Sequence, residues 1–213
     1  MSYSQFPINN PKIYVTTPKR IEHDLEGTWI TLPANDLDDI LNSLELKHIV
    51  GVDSYVVTDQ EYIPFDVNPH ESIHRLNSTI AYIINAMDKF ITEKAPELTS
   101  DIEKVEAIKR NIMTYLQEQD YIYNNLDEII ERIENMTIFY TCYENKTNVL
   151  YDIGYDKIHQ TLRNKDIPDE IKDYINYEQI GRDRMFGDGG TIVGYGGCID
   201  SDLSFVIFDY NMD

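Results

Sequence analysis

The sequence predicts an α+β fold in three parts, because the periodicity of its apolar residues changes twice along the 213 residues. Residues 1–66 show strand patterns around one helix, residues 67–135 follow the helical period, and residues 136–213 mix the two. Hydrophobic residues make up 42% of the chain, which is enough to bury a core. We therefore expect a β-rich N-terminal domain, a helical central domain and an α+β C-terminal domain.

β-Branched and aromatic residues mark the strands of the first part. KIYVTT at 12–17 and GTWITL at 27–32 have this composition. A helix is predicted over 34–46, because apolar residues recur at helical spacing and three aspartates fall in its first turn. A third strand is expected in HIVGVDSYVV at 48–57, and two prolines within 61–69 then mark a boundary.

Three helices are predicted in the second part. A long apolar stripe extends over 73–91, and Pro96 ends that helix. Ser100 and Glu103 fit a capping box at the start of the next helix. The third helix is predicted within 126–133, where one leucine and three isoleucines recur at helical spacing.

The third part combines strands and helices. MTIFYTCY at 136–143 is strand-like, and residues 148–162 are predicted to be helical. Residues 169–180 form a tyrosine-rich pattern with helical spacing, and Gly181 is expected to end that helix. The segments TIVGYGG and SFVIFDY, between 191 and 210, are expected to be two strands around a turn.

The chain is strongly acidic, with 38 Asp and Glu against 18 Lys and Arg and a net charge of −20. Residues 93–134 hold 11 acids and 5 bases, so the outer faces of the central helices are expected to be acidic. Such a charge repels phosphate and excludes nucleic acid as a direct partner. The negative charge either serves solubility alone or suits a partner with a basic surface, such as the groove of a DNA-binding protein.

The cysteine content and the hydropathy pattern point to a soluble cytoplasmic protein. Cys142 and Cys198 alone do not form a disulfide framework. The first residues contain no apolar segment typical of a signal peptide, and no apolar run approaches the roughly 20 residues of a membrane span. No membrane contact is therefore expected.

One motif offers an alternative function. HESIH at 70–74 matches the H-E-x-x-H pattern of zinc proteases, in which two histidines bind zinc and the glutamate, here Glu71, is the general base. Its context instead favours a helix start, with Asn68 as the N-cap and Pro69 as the first helical residue. A zinc-dependent hydrolase remains an alternative, as does an acidic adaptor protein whose charge only keeps it soluble.

No other segment predicts catalysis, a cofactor or a metal. GDGG at 187–190 is glycine-rich, but a strand pattern follows it where a phosphate-binding loop needs a helix. We therefore expect a protein that is not an enzyme and that uses no cofactor.

Three segments of the chain resemble segments of a known protein family. They are KIYVTTPKRIEHDLEGTWITLP at 12–33, YIPFDV at 62–67 and IPDEIKDYINYEQIGRDR at 167–184. In this order they resemble the ArdA family of antirestriction proteins over nearly the whole chain. The chain departs from the family in extra helical residues between about 90 and 145 and in the glycine-rich segment 187–198.

The resemblance implies an elongated acidic homodimer of three small domains that mimics bent B-DNA. Such a protein occupies the DNA groove of a type I restriction-modification enzyme and blocks DNA binding. Members of this family are typically encoded on plasmids and transposons. The implied partners are therefore the restriction enzyme and a second copy of the chain.

The resemblance also implies roles for particular residues. The carboxylates expected to stand for phosphates are Asp101, Glu103, Glu106, Glu118, Asp120, Asp127, Glu128, Glu131, Glu134, Asp169, Glu170, Asp173 and Glu178. The dimer interface or family motif is expected at Tyr174, Ile175, Tyr177, Ile180, Gly181, Arg182 and Asp183. Arg182 and Arg184 are expected just past the helix end, where cations are favoured.

Overall fold

Two small antiparallel sheets and a set of helices make up the structure, which is a computed structural model of the chain. It describes residues 10–18, 22, 26–43, 55–118, 126–141, 149–162, 167–187, 191–197 and 204–209. The chain divides into two units, residues 1–88 with 113–130 and residues 89–112 with 131–213. The mixture of strands and helices confirms the predicted α+β class. The division into three parts at residues 66 and 135 stays a prediction.

The first unit contains a three-stranded antiparallel sheet. Strand β1 (Lys12–Thr16) lies between β2 (Thr28–Thr31) and β3 (Val56–Glu61). Because side chains alternate along a strand, Ile13 and Val15 of β1 point into the core while Lys12 and Tyr14 are partly exposed. Thr16, at the end of the strand, is also buried. The strands predicted over 12–17 and 27–32 are therefore confirmed within a residue or two.

The third strand differs from its prediction. It was expected over 48–57, and β3 instead covers Val56–Glu61, while residues 44–54 lie outside the described part of the chain. The polar sequence TDQE carries no apolar alternation that would predict a strand. It forms one because β3 is an edge strand, whose backbone pairs with β1 while Val57 alone is buried.

A short helix and a long helix accompany this sheet. Helix α1 (Leu37–Ser43) buries Leu37 and Leu41 and begins three residues after the predicted start at residue 34, while residues 44–46 of the prediction lie outside the described residues. Asn77 of helix α2 (Ile73–Lys94) fixes the segment that leads into α1. Its Oδ1 accepts a hydrogen bond from the Ala34 N–H at 2.6 Å, and its Nδ2 donates to the Ala34 carbonyl at 3.2 Å.

The central helices follow the predicted apolar stripes. After α2 comes a 3₁₀ helix (Pro96–Leu98), then α3 (Ile102–Glu118) and α4 (Leu126–Asn135). The limit between the two units falls within each of these three α-helices. The buried apolar side chains of these helices are Ile73, Leu76, Ile80, Ile83, Ala86, Met87, Phe90, Ile91, Leu98, Ile108, Ile112, Met113, Tyr115, Leu116, Ile129 and Ile133.

Helix α2 begins later than predicted. Asn68 was expected to be the N-cap, but its Oδ1 accepts a hydrogen bond from the His70 N–H at 2.9 Å within a turn. Ser72 occupies the cap position, and its Oγ accepts a hydrogen bond from the Arg75 N–H at 3.4 Å. Asn side chains form such local turns readily, which delays the helix start.

Helix α3 also begins at a different residue. The predicted capping box named Ser100, whereas Asp101 is the residue that caps the helix. Its Oδ1 accepts a hydrogen bond from the Lys104 N–H at 3.3 Å. An aspartate caps a helix as well as a serine does, and its negative charge also favours the helix N-terminus.

The second unit contains the other three-stranded sheet. Strand β6 (Ser204–Asp209) lies between β4 (Thr137–Thr141) and β5 (Thr191–Gly197), and all pairs are antiparallel. The predicted strands over 136–143 and 191–210 are confirmed. As the central strand, β6 is buried on both faces, and residues 205–209 are at most 1% exposed.

The tyrosine-rich segment consists of two helices, and the prediction of one helix ending at Gly181 is wrong. Helix α5 (Val149–Thr161) precedes it as predicted, and α6 (Asp169–Lys172) is followed by a turn and α7 (Tyr177–Gly187). Asn176 starts α7, because its Oδ1 accepts a hydrogen bond from the Gln179 N–H at 3.0 Å. Gly181 therefore lies inside α7.

Helices α5 and α7 cross at two glycines. A Cβ atom built on Gly154 would lie 1.8 Å from the Tyr177 carbonyl oxygen, and one built on Gly181 would lie 1.7 Å from the Leu150 carbonyl oxygen. No side chain fits at either position without moving a helix. In the sequence, Gly181 resembles a residue that ends a helix. In the structure, it permits close contact between the backbones of α5 and α7.

A buried ion pair attaches helix α4 to the second sheet. The Arg132 Nε donates a hydrogen bond to the Asp209 carboxylate, and the Asp209 side chain is fully buried. Removing either partner leaves a charge in a region of low dielectric constant, which is strongly destabilising. The pair therefore fixes α4 against the end of β6.

We expect Gly181→Ala to lower the free energy of unfolding by about 1–3 kcal/mol, because the new methyl group forces α5 and α7 apart. Gly187→Ala is the matched control on the same helix, since a Cβ there meets no atom within 4 Å. Urea unfolding of both variants measures the difference. Equal stability of Gly181→Ala and the unmodified protein would contradict the close crossing.

Candidate functional site

The carboxylates lie on the outside of the molecule. Among the residues that the structure describes, every Asp and Glu is exposed or partly exposed except Asp209, which is bound to Arg132. Carboxylates stay hydrated because burial of an unpaired charge is costly. The described carboxylates, apart from Asp209, therefore present their negative charge to the solvent.

Helix α4 has the sharpest separation of acidic and apolar residues. Ile129 and Ile133 are buried on one face of the helix. The opposite face carries four exposed acids, Asp127, Glu128, Glu131 and Glu134. These carboxylates recur every three to four residues, so they project from one side of the helix along its length.

The acids of helix α3 are less uniform. Glu103 and Glu118 are exposed, Glu106 is partly buried, and Asp120 lies outside the described residues. Asp101 is the cap of the helix, and the ammonium group of Lys104 lies 3.1 Å from it. Desolvation acts to raise the pKa of Asp101, but the hydrogen bonds and the charge of Lys104 together lower it.

The acids near helices α6 and α7 are all exposed. They are Asp169, Glu170, Asp173 and Glu178. The ammonium group of Lys172 lies 2.7 Å from the Asp169 carboxylate, and its hydrogen bond holds the pKa of Asp169 below the ordinary value. Glu178 lies 3.8 Å from Arg182 on the same helix face.

The tyrosines of this region differ in their exposure. Tyr174 is 87% exposed, and Ile175 and Ile180 are partly buried. Tyr177 is buried, with its ring centroid 5.0 Å from that of Tyr151 and 5.5 Å from that of Tyr155. Desolvation, followed by the two neighbouring tyrosines, raises the pKa of Tyr177.

Arg184 is a buried residue of helix α7, so its prediction as a cation beyond the helix end is wrong. Its guanidinium donates hydrogen bonds to Asp156 at 2.6 Å and to the Ile153 carbonyl at 3.3 Å. It also lies 5.8 Å from the ring centroids of Phe139 and Phe208. Arg184 therefore fastens α7 to α5 and the sheet.

Arg182 and Asp183 lie within helix α7 and are exposed, so the prediction of Arg182 beyond the helix end is also wrong. Asp183 accepts a hydrogen bond from the Gln179 side chain at 2.8 Å. Three partners of this segment, Asp156, Tyr151 and Tyr155, were not predicted from the sequence. The four-residue spacing of the two tyrosines on α5 was the available signal for a shared helix face.

The HESIH motif does not have the geometry of a zinc protease site. His70 lies in the turn before α2, whereas His74 lies in its first turn. His74 Nε2 is 3.7 Å from Asp38 Oδ1. Within the described part of the chain, no group of three His, Cys, Asp or Glu side chains is placed to hold a metal ion.

Of the glycine-rich segment at 187–190, the structure describes Gly187 alone. Gly187 ends helix α7, residues 188–190 lie outside the described ranges, and strand β5 follows as predicted. Across the described ranges, no helix has both the length and the apolar content to cross a bilayer.

Comparison with known proteins identifies the family. The model of the ArdA antirestriction proteins matches residues 13–199 of the 213-residue chain. A comparison with individual curated proteins gave no match. The match includes the three strands of the first sheet except Lys12, the helices α1–α7 and two strands of the second sheet. Because it covers most of the chain, this protein belongs to the ArdA family of antirestriction proteins.

Proposed function

We propose that this antirestriction protein acts as a mimic of B-DNA, which binds the DNA groove of a type I restriction-modification enzyme and blocks DNA binding. It performs this function by occupancy, without catalysis or a cofactor, in the cytoplasm of a cell that receives foreign DNA. The observation that carries the proposal is the outward position of the carboxylates in a member of the antirestriction family.

The chemistry of the two ligands supports this proposal. A DNA groove in a protein is lined by Lys and Arg, which bind phosphate oxygens through charge-assisted hydrogen bonds. A carboxylate presents two oxygen acceptors in a similar way and pairs with the same cations. Acids on the outer faces of α3, α4, α6 and α7 are the proposed phosphate surrogates.

The scaffold supports the proposal as well. Helix α4 is anchored by the pair between Arg132 and Asp209, and α7 by Arg184. Charges on rigid elements lose little conformational entropy when a partner binds. The acids of these helices therefore form a pre-organised surface.

A competition assay tests this function. Purified type I enzyme is equilibrated with labelled duplex DNA that contains its recognition site, and the protein is titrated into the mixture. We expect full displacement of the DNA with no cleavage or modification of either component. Failure to displace DNA from several such enzymes would contradict the proposal.

We also propose that the protein is a homodimer joined through its C-terminal part. Most of the large apolar side chains that are exposed lie in helices α5–α7 and the turn between α6 and α7, where Tyr174 is 87% and Phe186 75% exposed. Aromatic residues with this exposure are favoured at protein interfaces, because they bring apolar area together with few rotatable bonds.

One prediction of this function concerns the acidic face of helix α4. Asp127→Asn, Glu128→Gln, Glu131→Gln or Glu134→Gln alone should weaken binding to the enzyme less than about sixfold, because an exposed ion pair is worth about 0.2–1 kcal/mol. All four together should weaken it about tenfold or more. The control is a quadruple variant in which the Asp is replaced by Glu and each Glu by Asp, because this variant keeps the charge. A tenfold loss from one substitution would indicate a hot spot instead.

The second prediction concerns salt. The affinity of DNA falls with a slope of about −0.9 per neutralised phosphate, because condensed counterions are released. Carboxylates on a folded protein condense fewer ions, so we expect a shallower slope for the protein with the same enzyme. Dissociation constants for both ligands over a salt series provide the measurement. An affinity that does not change with salt would rule out binding through the carboxylates, since exposed charges are screened beyond about 8 Å at physiological ionic strength.

The third prediction concerns the dimer. Tyr174→Asp combined with Phe186→Asp should convert the dimer to a monomer, because each adds a charge to an apolar contact. Tyr82→Asp is the control, since Tyr82 is 57% exposed but lies on helix α2. Sedimentation at micromolar concentration measures the mass. A monomeric unmodified protein would disprove the dimer.

A further inference from the structure

Three tyrosines of helices α5 and α7, which we call the tyrosine cluster, form an aromatic surface on the second unit. Tyr151 and Tyr155 are 45% and 46% exposed, and their rings are nearly parallel, with an angle of 18° and a centroid distance of 6.4 Å. The ring of Tyr177 lies 5.0 Å from the first and 5.5 Å from the second. The cluster therefore has two half-exposed rings above a buried one.

The buried ring of the tyrosine cluster has an unused hydrogen-bonding group. Tyr177 is only 6% exposed, yet its hydroxyl group has no hydrogen-bond partner among the described residues. A buried tyrosine hydroxyl usually has one, because its removal from water is costly. Desolvation raises the pKa of Tyr177, and the phenol groups of Tyr151 and Tyr155 raise it further. The three hydroxyl groups are therefore close together, and that of Tyr177 is available to a ligand.

The surroundings of the tyrosine cluster favour a planar cation. The faces of aromatic rings are partly negative, and the guanidinium group of arginine stacks on them as a flat, charged plate. Asp152 precedes Tyr155 by three residues on α5, so the two side chains are neighbours. Asp152 is partly buried, desolvation raises its pKa, and it has no ion pair with a described residue. This carboxylate repels an anion and attracts a guanidinium.

Arg182 is an exposed arginine on the same pair of helices. Its guanidinium lies 3.8 Å from the Glu178 carboxylate, close to the limit of about 4 Å for an ion pair. Phe186 follows it by four residues and is 75% exposed, so the two side chains form one projecting ridge on α7. Arg182 and Tyr177 point roughly 140° apart around the helix axis, because five residues separate them. Arg182 is therefore directed away from the tyrosine cluster of its own chain.

We propose that the tyrosine cluster binds the guanidinium group of Arg182 from a second copy of the chain. The guanidinium stacks on the exposed rings and donates a hydrogen bond to the Tyr177 hydroxyl, while Asp152 balances its charge. In a dimer with twofold symmetry the contact occurs twice, because each copy supplies both the arginine and the cluster. This contact rests on the proposed homodimer and names the groups that join its two copies.

Replacement of the arginine tests the contact. Arg182→Gln should weaken the dimer about ten- to hundredfold, since each dimer loses two cation–π contacts. Arg75→Gln is the matched control, because Arg75 is also an exposed arginine with a glutamate four residues before it. Sedimentation equilibrium of both variants measures the dimer dissociation constant. An Arg182→Gln dimer as tight as the unmodified one would overturn the proposal.

A mixture of two variants tests which copy supplies the arginine. The second variant combines Tyr151→Leu with Tyr155→Leu, which removes the exposed rings but keeps Arg182. Each variant's own dimer has lost both contacts, whereas a mixed dimer keeps one. We expect the mixed dimer to be about three- to tenfold tighter than either variant's own dimer, beyond the statistical excess. Native mass spectrometry measures the proportions, and a purely statistical mixture would contradict the proposal. A folding defect in the leucine variant does not produce a preference for the mixed dimer.

These measurements distinguish failure of the contact from failure of the proposed homodimer. If the unmodified protein is a monomer, the homodimer is wrong and the contact with it. If the unmodified protein is a dimer that Arg182→Gln does not weaken, the homodimer stands and the occupant of the tyrosine cluster is wrong. In that case, a lower affinity of the leucine variant for the purified type I enzyme would assign the cluster to the enzyme instead.

Discussion

The cost of removing a carboxylate from water governs how this chain folds. With 38 acidic residues, the protein must form a core from the apolar positions alone and direct nearly all acids outward. Asp209 is the exception among the described carboxylates, and it is buried together with Arg132. The strict two-faced pattern of helix α4 follows from the same constraint, because any inward acid would need its own cation.

A second constraint acts at the crossing of α5 and α7, where the backbones are in contact. Gly154 and Gly181 provide the space, and Arg184 connects the two helices through Asp156. These interactions place the tyrosines of both helices beside one another, with Tyr177 enclosed and Tyr174 outside. A dense contact with one ion pair thus supports the surface on which acidic and aromatic residues are displayed.

The sequence predicted the parts of the fold that depend on local periodicity. The long apolar stripe of α2, the helix α5 and the strands of the second sheet were identified from spacing alone, because burial of one face imposes a regular pattern. The acidic outer faces followed from the same patterns. Membership of the antirestriction family was also indicated before the fold was known, since its motifs are spread over most of the chain.

Features that depend on distant partners were not predictable in this way. A glycine at a helix end and a glycine at a helix crossing look alike in sequence, so Gly181 was placed at a terminus. Arg184 was expected at the surface because its partner Asp156 lies on another helix. The shift from Ser100 to Asp101 has a different cause, since adjacent residues compete for the same cap and the sequence does not rank them.

The helix crossing depends on two glycines, whereas the surface depends on many carboxylates. This difference has an evolutionary consequence. A field produced by many acids constrains the total charge of a helix face but neither the order nor the identity of its residues. A single substitution on such a face is therefore nearly neutral, and the loss of a carboxylate at one position is offset by the gain of one at another. Gly154, Gly181 and Arg184 have no such freedom, because each fills a space of fixed size. Divergence within this lineage is therefore expected to accumulate on the outer faces while the helix crossing stays unchanged.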